Sequence, residues 1–305
     1  MTDKSIEIKN LIKYYGRVQA LKGVTFSVEQ GEIFGFLGPN GAGKTTTIRC
    51  MLDLIRPQAG SIRVLGQNPQ EEAVKVRQHI GYLPGELNFD SNMKVSNALR
   101  YFGELRGNQI DWNYVVDLAK RMELDLNISI KNLSKGNKQK VGVVQALMHK
   151  PALVILDEPT SGLDPLMQQE VYRLLRQARE EGATIFFSSH ILNEVETLAD
   201  RVAIIRNGVI IEEAEPHDLG TMEMRHIRVK FFQPQSEESL SKIAGISGMI
   251  RERRNLYTFQ VEGEVDAFIK SLAGYQVSDI EVERPSLEEV FLAYYAGKEE
   301  GKNVR

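Results

Sequence analysis

The distribution of apolar residues predicts a series of strands in the first two thirds of the chain. Ile6–Leu11 and Val24–Val28 alternate apolar and polar residues, as half-buried strands do. Ile33–Leu37 and Leu153–Leu156 are continuous apolar runs, which are typical of strands buried on both faces of a parallel sheet. Further strands are predicted at Ser61–Leu65, Ile80–Leu83, Thr184–Ser189 and Val202–Ile211, the last as a hairpin with an Asn-Gly turn.

Helical spacing of apolar residues separates these strands. Residues 95–123 carry apolar side chains on shared faces, and 46–52 continue from the strand at Ile33–Leu37. After an interruption at Leu133–Lys140 a helix is predicted over 141–148, and a further helix follows Pro165. Strands that alternate with helices predict an α/β fold.

The pattern changes near Gly220, where we expect a boundary between domains of residues 1–220 and 221–305. Beyond it, strands are predicted at His226–Phe231, 248–254, 256–261 and Val277–Val282, with helices at Ser236–Ala244 and around Phe268. The order β-α-β-β-α-β is typical of a small ferredoxin-like α+β domain.

A glycine-rich loop carries the clearest chemical signal. Gly38–Thr45 has the form Gly-x-x-x-x-Gly-Lys-Thr, between a predicted strand and a predicted helix. In this context backbone N–H groups turn toward a phosphate, and the helix N-terminus adds partial positive charge. Lys44 is then expected to contact the β- and γ-phosphates, and the Thr45 hydroxyl to contact Mg²⁺. We therefore expect the chain to bind a nucleoside triphosphate.

Two carboxylates and a histidine follow predicted buried strands. Asp157 and Glu158 end the run that begins at Leu153, and His190 follows Thr184–Ser189. Ligands of α/β proteins bind at the carboxyl ends of strands. Asp157 therefore matches the acid that holds Mg²⁺ in P-loop NTPases, Glu158 is placed to orient or deprotonate water, and His190 is a candidate catalytic residue.

Two weaker signals leave alternatives open. Tyr15 is compatible with stacking on a nucleobase, and equally with packing on the core at the end of a strand. The serine and glycine of Leu133–Lys140, just before a helix, fit either an anion-binding site or a simple helix cap.

Composition limits the class of protein. The chain has 305 residues, 42% hydrophobic and 26% charged, as expected of a soluble globular protein of one or two domains. Its 38 basic and 41 acidic residues leave a net charge of −3, which argues against a dedicated nucleic-acid binder. The single cysteine, Cys50, fits a reducing cytosol. We expect neither a signal peptide nor a membrane span, so any membrane role is expected to require a partner.

Together, these segments resemble a nucleotide-binding subunit of an ATP-binding-cassette (ABC) transporter. The resemblance covers about residues 5–215. It consists of Tyr15 as the adenine-stacking aromatic, Gly38–Thr45 as Walker A, Leu133–Asn137 as the signature loop, Leu153–Glu158 as Walker B, Ser161–Asp164 as the D-loop and His190 as the switch histidine. The signature loop makes the resemblance specific, since P-loop proteins at large lack it.

The resemblance implies a fold and a set of site residues. The fold is a P-loop NTPase cassette with a RecA-like α/β core, an antiparallel β subdomain and a helical subdomain at about 86–145. The ligands are ATP and Mg²⁺, with Glu158 and His190 as catalytic residues and Thr45 and Asp157 as metal ligands. The expected ATP-binding residues are Tyr15, Gly38, Pro39, Asn40, Gly41, Ala42, Gly43, Lys44, Thr45, Thr46, Ser134 and Gly136.

The resemblance also implies partners. In this family ATP lies between two cassettes placed head to tail, so one P-loop per chain implies a homodimer or a heterodimer with a second cassette. A separate membrane permease is expected to contact the helical insert and to hold the chain at the cytoplasmic face of the membrane. Residues 285–292 resemble the tail of cassettes from drug, antibiotic-peptide and lipid exporters, so export is expected, with no nucleic-acid partner.

Two departures from the family pattern bear on the site. Lys135 and Asn137 replace the commoner Gly and Gln of the signature loop. Gly85 stands where a glutamine is expected, followed by Glu86. Glu86 either takes part of that glutamine's role or is a loop acid that contacts solvent or the permease.

Two functions other than transport are possible for a cassette of this kind. A soluble regulatory cassette would act on ribosomes or DNA, but such relatives carry two cassettes or a long coiled-coil insert, and this sequence has neither. A nucleotide-binding scaffold that does not hydrolyse ATP conflicts with the presence of Glu158 and His190.

Overall fold

The computed structural model describes residues 4–87, 90, 92–107, 110–216, 224–262 and 265–283. The chain divides into two compact units, Met1–Pro216 and His217–Arg305. The domain boundary expected at residue 220 and the exporter-like segment 285–292 lie outside the described residues. The first unit has two sheets and the second has one, and each unit has its own cluster of buried apolar side chains.

A six-stranded sheet forms the centre of the first unit. Its order is β5 (Ile80–Leu83), β6 (Leu153–Asp157), β7 (Thr184–Ser189), β3 (Ile33–Leu37), β8 (Arg201–Arg206) and β9 (Val209–Ala214). All neighbours are parallel except β8 and β9, which form the predicted antiparallel hairpin. Strands β3, β6 and β7 are buried at every position, as their continuous apolar sequences predict.

An antiparallel sheet packs against this core. Its order is β2 (Val18–Glu29), β1 (Lys4–Tyr15) and β4 (Ala59–Val64). β1 and β2 are longer than the alternating pattern predicts, because several register shifts interrupt the alternation without ending the pairing. Phe26 of β2 stacks on Phe34 of β3 at 5.5 Å between ring centroids, which buries aromatic surface between the sheets.

In the described part of this unit, seven helices surround the sheets. They are α1 (Lys44–Met51), α2 (Ala73–Gln78), α3 (Val95–Glu104), α4 (Trp112–Arg121), α5 (Lys135–Leu147), α6 (Pro165–Glu180) and α7 (Leu192–Leu198). Helices α2 and α7 are too short for the apolar spacing to predict them. Among the helices within the described ranges, none has both the length and the hydrophobicity of a membrane span.

Helix α5 begins earlier than predicted. The interruption expected over Leu133–Lys140 is wrong from Lys135 onward, because Ser134 is the N-cap and its hydroxyl accepts a hydrogen bond from the Asn137 N–H at 3.1 Å. A short 3-10 turn, Ile130–Asn132, precedes it. Residues that match the signature loop therefore form the first turn of a helix.

The second unit has the predicted ferredoxin-like topology. Its antiparallel sheet has the order β11 (Ile246–Arg253), β12 (Leu256–Glu262), β10 (Met224–Phe231) and β13 (Val277–Glu283), with helices at Glu237–Leu240 and Val265–Leu272. The first of these helices is shorter than expected and ends at Leu240, and Gly245, with a φ of 81°, turns the chain into β11. Phe231, Tyr257, Phe259 and Phe268 fill the core of this unit.

Candidate functional site

The carboxyl ends of β3, β6 and β7 meet at one edge of the central sheet. β7 lies between β3 and β6, so the three loops that follow these strands are neighbours. They surround a cavity of about 600 Å³. Of the residues predicted from sequence, the cavity is lined by Pro39, Asn40, Gly41, Gly43, Lys44, Thr45, Thr46, Asp157, Glu158 and His190.

The glycine loop has a shape that larger residues would not permit. A Cβ atom at Gly38 would lie 2.3 Å from the Ile205 carbonyl oxygen. Gly43 adopts a φ of 116°, and a Cβ there would lie 2.8 Å from Leu21 Cδ2. Gly43 is also the N-cap of α1 and offers no capping side chain, so the first N–H groups of that helix remain available to an anion. The loop therefore fits a phosphate group.

Lys44 is the one buried cation in the lining of this cavity. Its side chain is 6% exposed, and Nζ donates to the carbonyl oxygens of Gly38 at 2.6 Å and Pro39 at 3.3 Å. The same amine lies 3.2 Å from Glu158 Oε1. A buried ammonium held against the loop carbonyls and a carboxylate is placed to neutralise phosphate charge.

Asp157 and Thr45 together fit a magnesium ion. Thr45 Oγ1 donates to Asp157 Oδ2 at 2.7 Å, and Ser188 Oγ donates to Asp157 Oδ1 at 2.5 Å. Among the described residues there is no group of three or more His, Cys, Asp or Glu side chains that could hold a metal by themselves. Mg²⁺ is usually bound through one or two protein oxygens, with substrate phosphates and waters supplying the rest. One carboxylate and one hydroxyl beside a phosphate loop match that donor set.

Glu158 connects the lysine to the histidine. Its Oε2 lies 2.5 Å from His190 Nδ1, while its Oε1 contacts Lys44. Glu158 has a φ of 55°, in the left-handed region that residues other than glycine adopt rarely. Its N–H donates to the carbonyl and the hydroxyl oxygen of Ser188, each at 3.2 Å. Glu158 thus contacts both Lys44 and His190, which the sequence places far from it in the chain.

Gly85 lies beside the Asp157 carboxylate. A Cβ atom at this position would lie 3.1 Å from Asp157 Oδ2, and both Gly85 and Glu86 line the cavity. Tyr82 of β5 lines it as well. Burial raises the pKa of the Tyr82 hydroxyl to about 12, with a smaller contribution from the charge of Asp157, so the hydroxyl stays protonated and can donate a hydrogen bond.

Five predicted residues do not line this cavity. Tyr15 is 46% exposed at the end of β1, with Lys13 Nζ 5.5 Å from its ring centroid. Gly38 and Ala42 support the loop from behind. Ser134 and Gly136 form the start of α5, where Ser134 acts as a cap. For all five residues, contact with the nucleotide stays a prediction.

Sequence reasoning missed several residues of this cavity. Arg49 is exposed one turn beyond Thr45 on α1, and Ser161, matched from sequence to the D-loop but not to the ATP site, belongs to the loop after Glu158. Ser188 does not line the cavity but donates a hydrogen bond to Asp157. The helical spacing from Thr45 could have identified Arg49, whereas Ser188 looks like any polar residue at the end of a strand.

The site consists of a phosphate-binding loop between a parallel strand and a helix, with a neighbouring hydroxyl and carboxylate that fit Mg²⁺. This combination defines a P-loop nucleoside triphosphatase. Residues 21–161 match the protein family described as ABC transporter. The bacitracin transport ATP-binding protein BcrA of Bacillus licheniformis is 39% identical over 68% of this chain and 69% of its own length. The Nod factor export ATP-binding protein I of Burkholderia orbicola is 33% identical over 96% of this chain and 97% of its own. The chain belongs to the ABC transporter family as an ATP-binding subunit, and it is an ATPase.

Solved structures agree with this assignment. The ATP-binding subunit of an ABC transporter superposes with a TM-score of 0.65 at 30% identity, over 70% of this chain and 91% of that chain. A dimeric bacterial ABC transporter cassette superposes with a TM-score of 0.61 at 25% identity, over 69% of this chain and 98% of its own. The P-loop NTPase cassette predicted from sequence is therefore confirmed.

Proposed function

We propose that this chain hydrolyses ATP in the cavity at the ends of β3, β6 and β7 to drive export through a separate membrane permease. The convergence of Lys44, Glu158 and His190 on one cavity is the observation that carries the proposal. Two similar proteins are named for bacitracin transport and Nod factor export, which favours export as the direction. The transported substrate is a property of the permease.

The glycine loop and Lys44 bind the phosphates of ATP. Backbone N–H groups at the start of α1 donate hydrogen bonds to phosphate oxygens. The Lys44 amine contacts the γ-phosphate in place of part of its contact with Glu158. Mg²⁺, when bound through Thr45 and Asp157, would neutralise charge on the β- and γ-phosphates. Loss of the Lys44 contact leaves the Glu158 carboxylate free to accept a proton from water.

Glu158 and His190 organise the attacking water. Phosphoryl transfer depends chiefly on positioning and charge neutralisation, with the water and the leaving oxygen in line. The Glu158 carboxylate accepts the proton of that water, and the imidazole of His190, which contacts Glu158 Oε2, orients the carboxylate and contacts the γ-phosphate.

A second cassette completes the site. Ser134 and Lys135 are exposed at the N-terminus of α5, away from the cavity of their own chain. Leu166 is 79% exposed at the start of α6, and Ile191 is exposed beside His190. Exposed apolar side chains, one of them adjacent to a residue of the catalytic cavity, favour a covering partner. We infer that the α5 N-terminus contacts ATP held by the other cassette of a homodimer or heterodimer.

The permease docks in an apolar groove beside the nucleotide cavity. This groove has a volume of about 360 Å³, and its apolar lining consists of Leu52, Leu54, Ile80, Tyr82, Pro84, Leu87 and Phe102. Tyr82 and Pro84 also line the nucleotide cavity, so the chain after β5 borders both. A permease segment in the groove would therefore contact the same residues that border ATP. Docking there would hold the chain at the cytoplasmic face of the membrane.

Replacing Leu54 by Glu is expected to abolish association with the permease. Leu54 is 52% exposed at the groove, and a carboxylate there would lose its hydration when a permease segment fills the groove. The measurement is co-purification of the tagged chain with a membrane protein from detergent-solubilised membranes of cells that express both. ATP turnover of the purified variant reports whether the nucleotide site is intact.

The matched control is Val74→Glu, which places the same charge on another exposed apolar position, on α2 and outside the groove. This variant should keep the partner. Retention of the partner by Leu54→Glu, or its loss by both variants, would count against the groove as the docking site.

We also propose that Glu86 takes part of the role of the glutamine that Gly85 replaces. Glu86 is exposed on the cavity wall, next to a glycine whose Cβ would touch Asp157. Glu86→Ala is expected to lower ATP turnover by about tenfold, with ATP affinity nearly kept, because its carboxylate orients water or metal only during hydrolysis. Adding Gly85→Gln to that variant should restore part of the turnover.

Steady-state turnover and nucleotide affinity are measured separately for each variant. Glu71→Ala, which removes an exposed loop carboxylate bonded to Asn68, is the control. Turnover of Glu86→Ala equal to that of the parent, without permease, would show that Glu86 is only a loop acid.

A further inference from the structure

A buried side chain on α5 contacts the backbone of Glu158. Gln139 is 4% exposed, and its Nε2 donates to the Glu158 carbonyl oxygen at 2.9 Å. The same oxygen accepts a hydrogen bond from the Ser161 N–H at 3.2 Å. Gln139 is not in the lining of the nucleotide cavity, so it meets the chemistry only through Glu158.

The backbone conformation of Glu158 needs such support. A left-handed φ in a residue other than glycine persists only where the surrounding structure imposes it. The N–H side of Glu158 is held by Ser188 of β7. On the carbonyl side, the contact from Gln139 is the one that comes from outside the loop itself. The two contacts together determine where the carboxylate points.

That direction matters because the carboxylate has two close partners. Glu158 Oε1 lies 3.2 Å from Lys44 Nζ, and Oε2 lies 2.5 Å from His190 Nδ1. A change in the backbone position of Glu158 would displace the carboxylate relative to both. Misplacing a catalytic group by a fraction of an ångström lowers the rate without weakening substrate binding to the same extent.

A second contact joins α5 to the same loop. A Cβ at Gly136 would lie 2.5 Å from the Gly162 carbonyl oxygen, so the first turn of α5 packs directly on the backbone that follows Glu158. Gln139 lies one turn further along the helix. A movement of the α5 N-terminus would therefore reach Glu158 through Gln139 and through the loop.

We propose that Gln139 is a positioning residue, which holds Glu158 in its catalytic orientation and couples it to the helix that begins with the signature residues. The inference rests on the proposed function, in which the N-terminus of α5 contacts ATP held by the partner cassette. Through Gln139, the nucleotide state of one site changes the orientation of the catalytic carboxylate in the other.

The test is Gln139→Met, which keeps the length and burial of the side chain and removes the donating N–H. We expect kcat to fall about tenfold, the effect of losing one hydrogen bond that acts on the transition state. The KM for ATP and the affinity for a fluorescent ATP analogue should stay within about twofold of the parent, since the glycine loop and Lys44 are untouched.

The decisive measurement repeats the substitution in the Glu158→Gln background. If Gln139 acts through Glu158, the second substitution should have little effect, because the carboxylate that Gln139 positions is already absent. The rate of single-turnover hydrolysis of radiolabelled ATP should then fall by less than about twofold further. A structural role predicts the same fold loss in both backgrounds. Equal losses, unchanged kcat in the single variant, or a parallel loss of ATP affinity and Tm would each overturn the inference.

The matched control is Gln177→Met on α6. Gln177 also makes contacts between side chains of different elements, accepting from Arg121 Nη1 at 2.6 Å, but it lies away from the cavity. The kcat of this variant should equal that of the parent.

If Gln139→Met does not fold, Gln139→Asn, which keeps the amide and withdraws it by one methylene, should give the same kcat loss. A parent without Mg²⁺-dependent turnover would refute the proposed function, whereas an active parent matched by an active Gln139→Met refutes only this inference.

Discussion

Glu158→Gln is expected to hydrolyse ATP about 100- to 10,000-fold more slowly than the parent, the usual range for loss of a general base. The amide keeps the size of the carboxylate and loses its ability to accept a proton from water. It also removes the negative charge that Glu158 places near the γ-phosphate, so ATP affinity should be kept or increased. Bound ATP that is not hydrolysed should then hold two cassettes together.

Light scattering with ATP and Mg²⁺ measures this outcome. The variant should show a mass near twice the 34.4 kDa of the chain, and the parent should return to its lower mass as ATP is consumed. Glu170→Gln is the control, since Glu170 is a half-buried carboxylate of α6 that pairs with Arg121 of α4 and Arg173 of α6. A Glu158→Gln variant that turns over ATP at the parental rate would exclude Glu158 as the base.

Lys44→Ala is expected to abolish detectable ATP turnover and to weaken ATP binding by at least about tenfold. The amine is the buried cation beside the glycine loop, and phosphate transfer depends on charge neutralisation at this point. Its removal also leaves Glu158 without its lysine partner, so carboxylate and γ-phosphate would repel each other without compensation.

Turnover and nucleotide affinity of Lys44→Ala should be measured with Mg²⁺ and with excess EDTA. In the parent, EDTA should reduce turnover to the level of the variant, because it removes the ion that we propose Thr45 and Asp157 hold beside the phosphates. Lys75→Ala, which breaks an exposed pair with Glu72 on α2, should be indistinguishable from the parent. Full activity in Lys44→Ala would disprove the assignment of the phosphate site.

Much of the site could be predicted because its residues carry strong local signals. Gly38–Thr45 predicts a phosphate loop because it carries the glycines that a turn of this shape requires. Asp157 and Glu158 are charged residues at the end of an apolar strand. The order of strands along the chain also placed both features at carboxyl ends. Gly85 was recognised as a departure, but its position beside Asp157 was not predicted.

The outer bounds of elements were harder to predict. Helix α5 starts six residues before the apolar pattern at Val141, because its first turns are stabilised by the Ser134 cap and by contacts with the loop after Glu158. Helices α2 and α7 are short and gain their stability from packing on the sheet. Local spacing carries little information where tertiary contacts decide the conformation.

The sequence by itself determined the α/β class, the phosphate loop, the chemical roles available to Lys44, Asp157 and Glu158, and the ferredoxin-like order of the last described strands. These features depend on side-chain periodicity and on residues whose chemistry is local. Only the tertiary structure decided that β7 lies between β3 and β6, that Glu158 contacts both Lys44 and His190, and that Gln139 reaches the Glu158 backbone. Such contacts join residues far apart in the chain, and they are set by which strands pair and which helix packs against each loop.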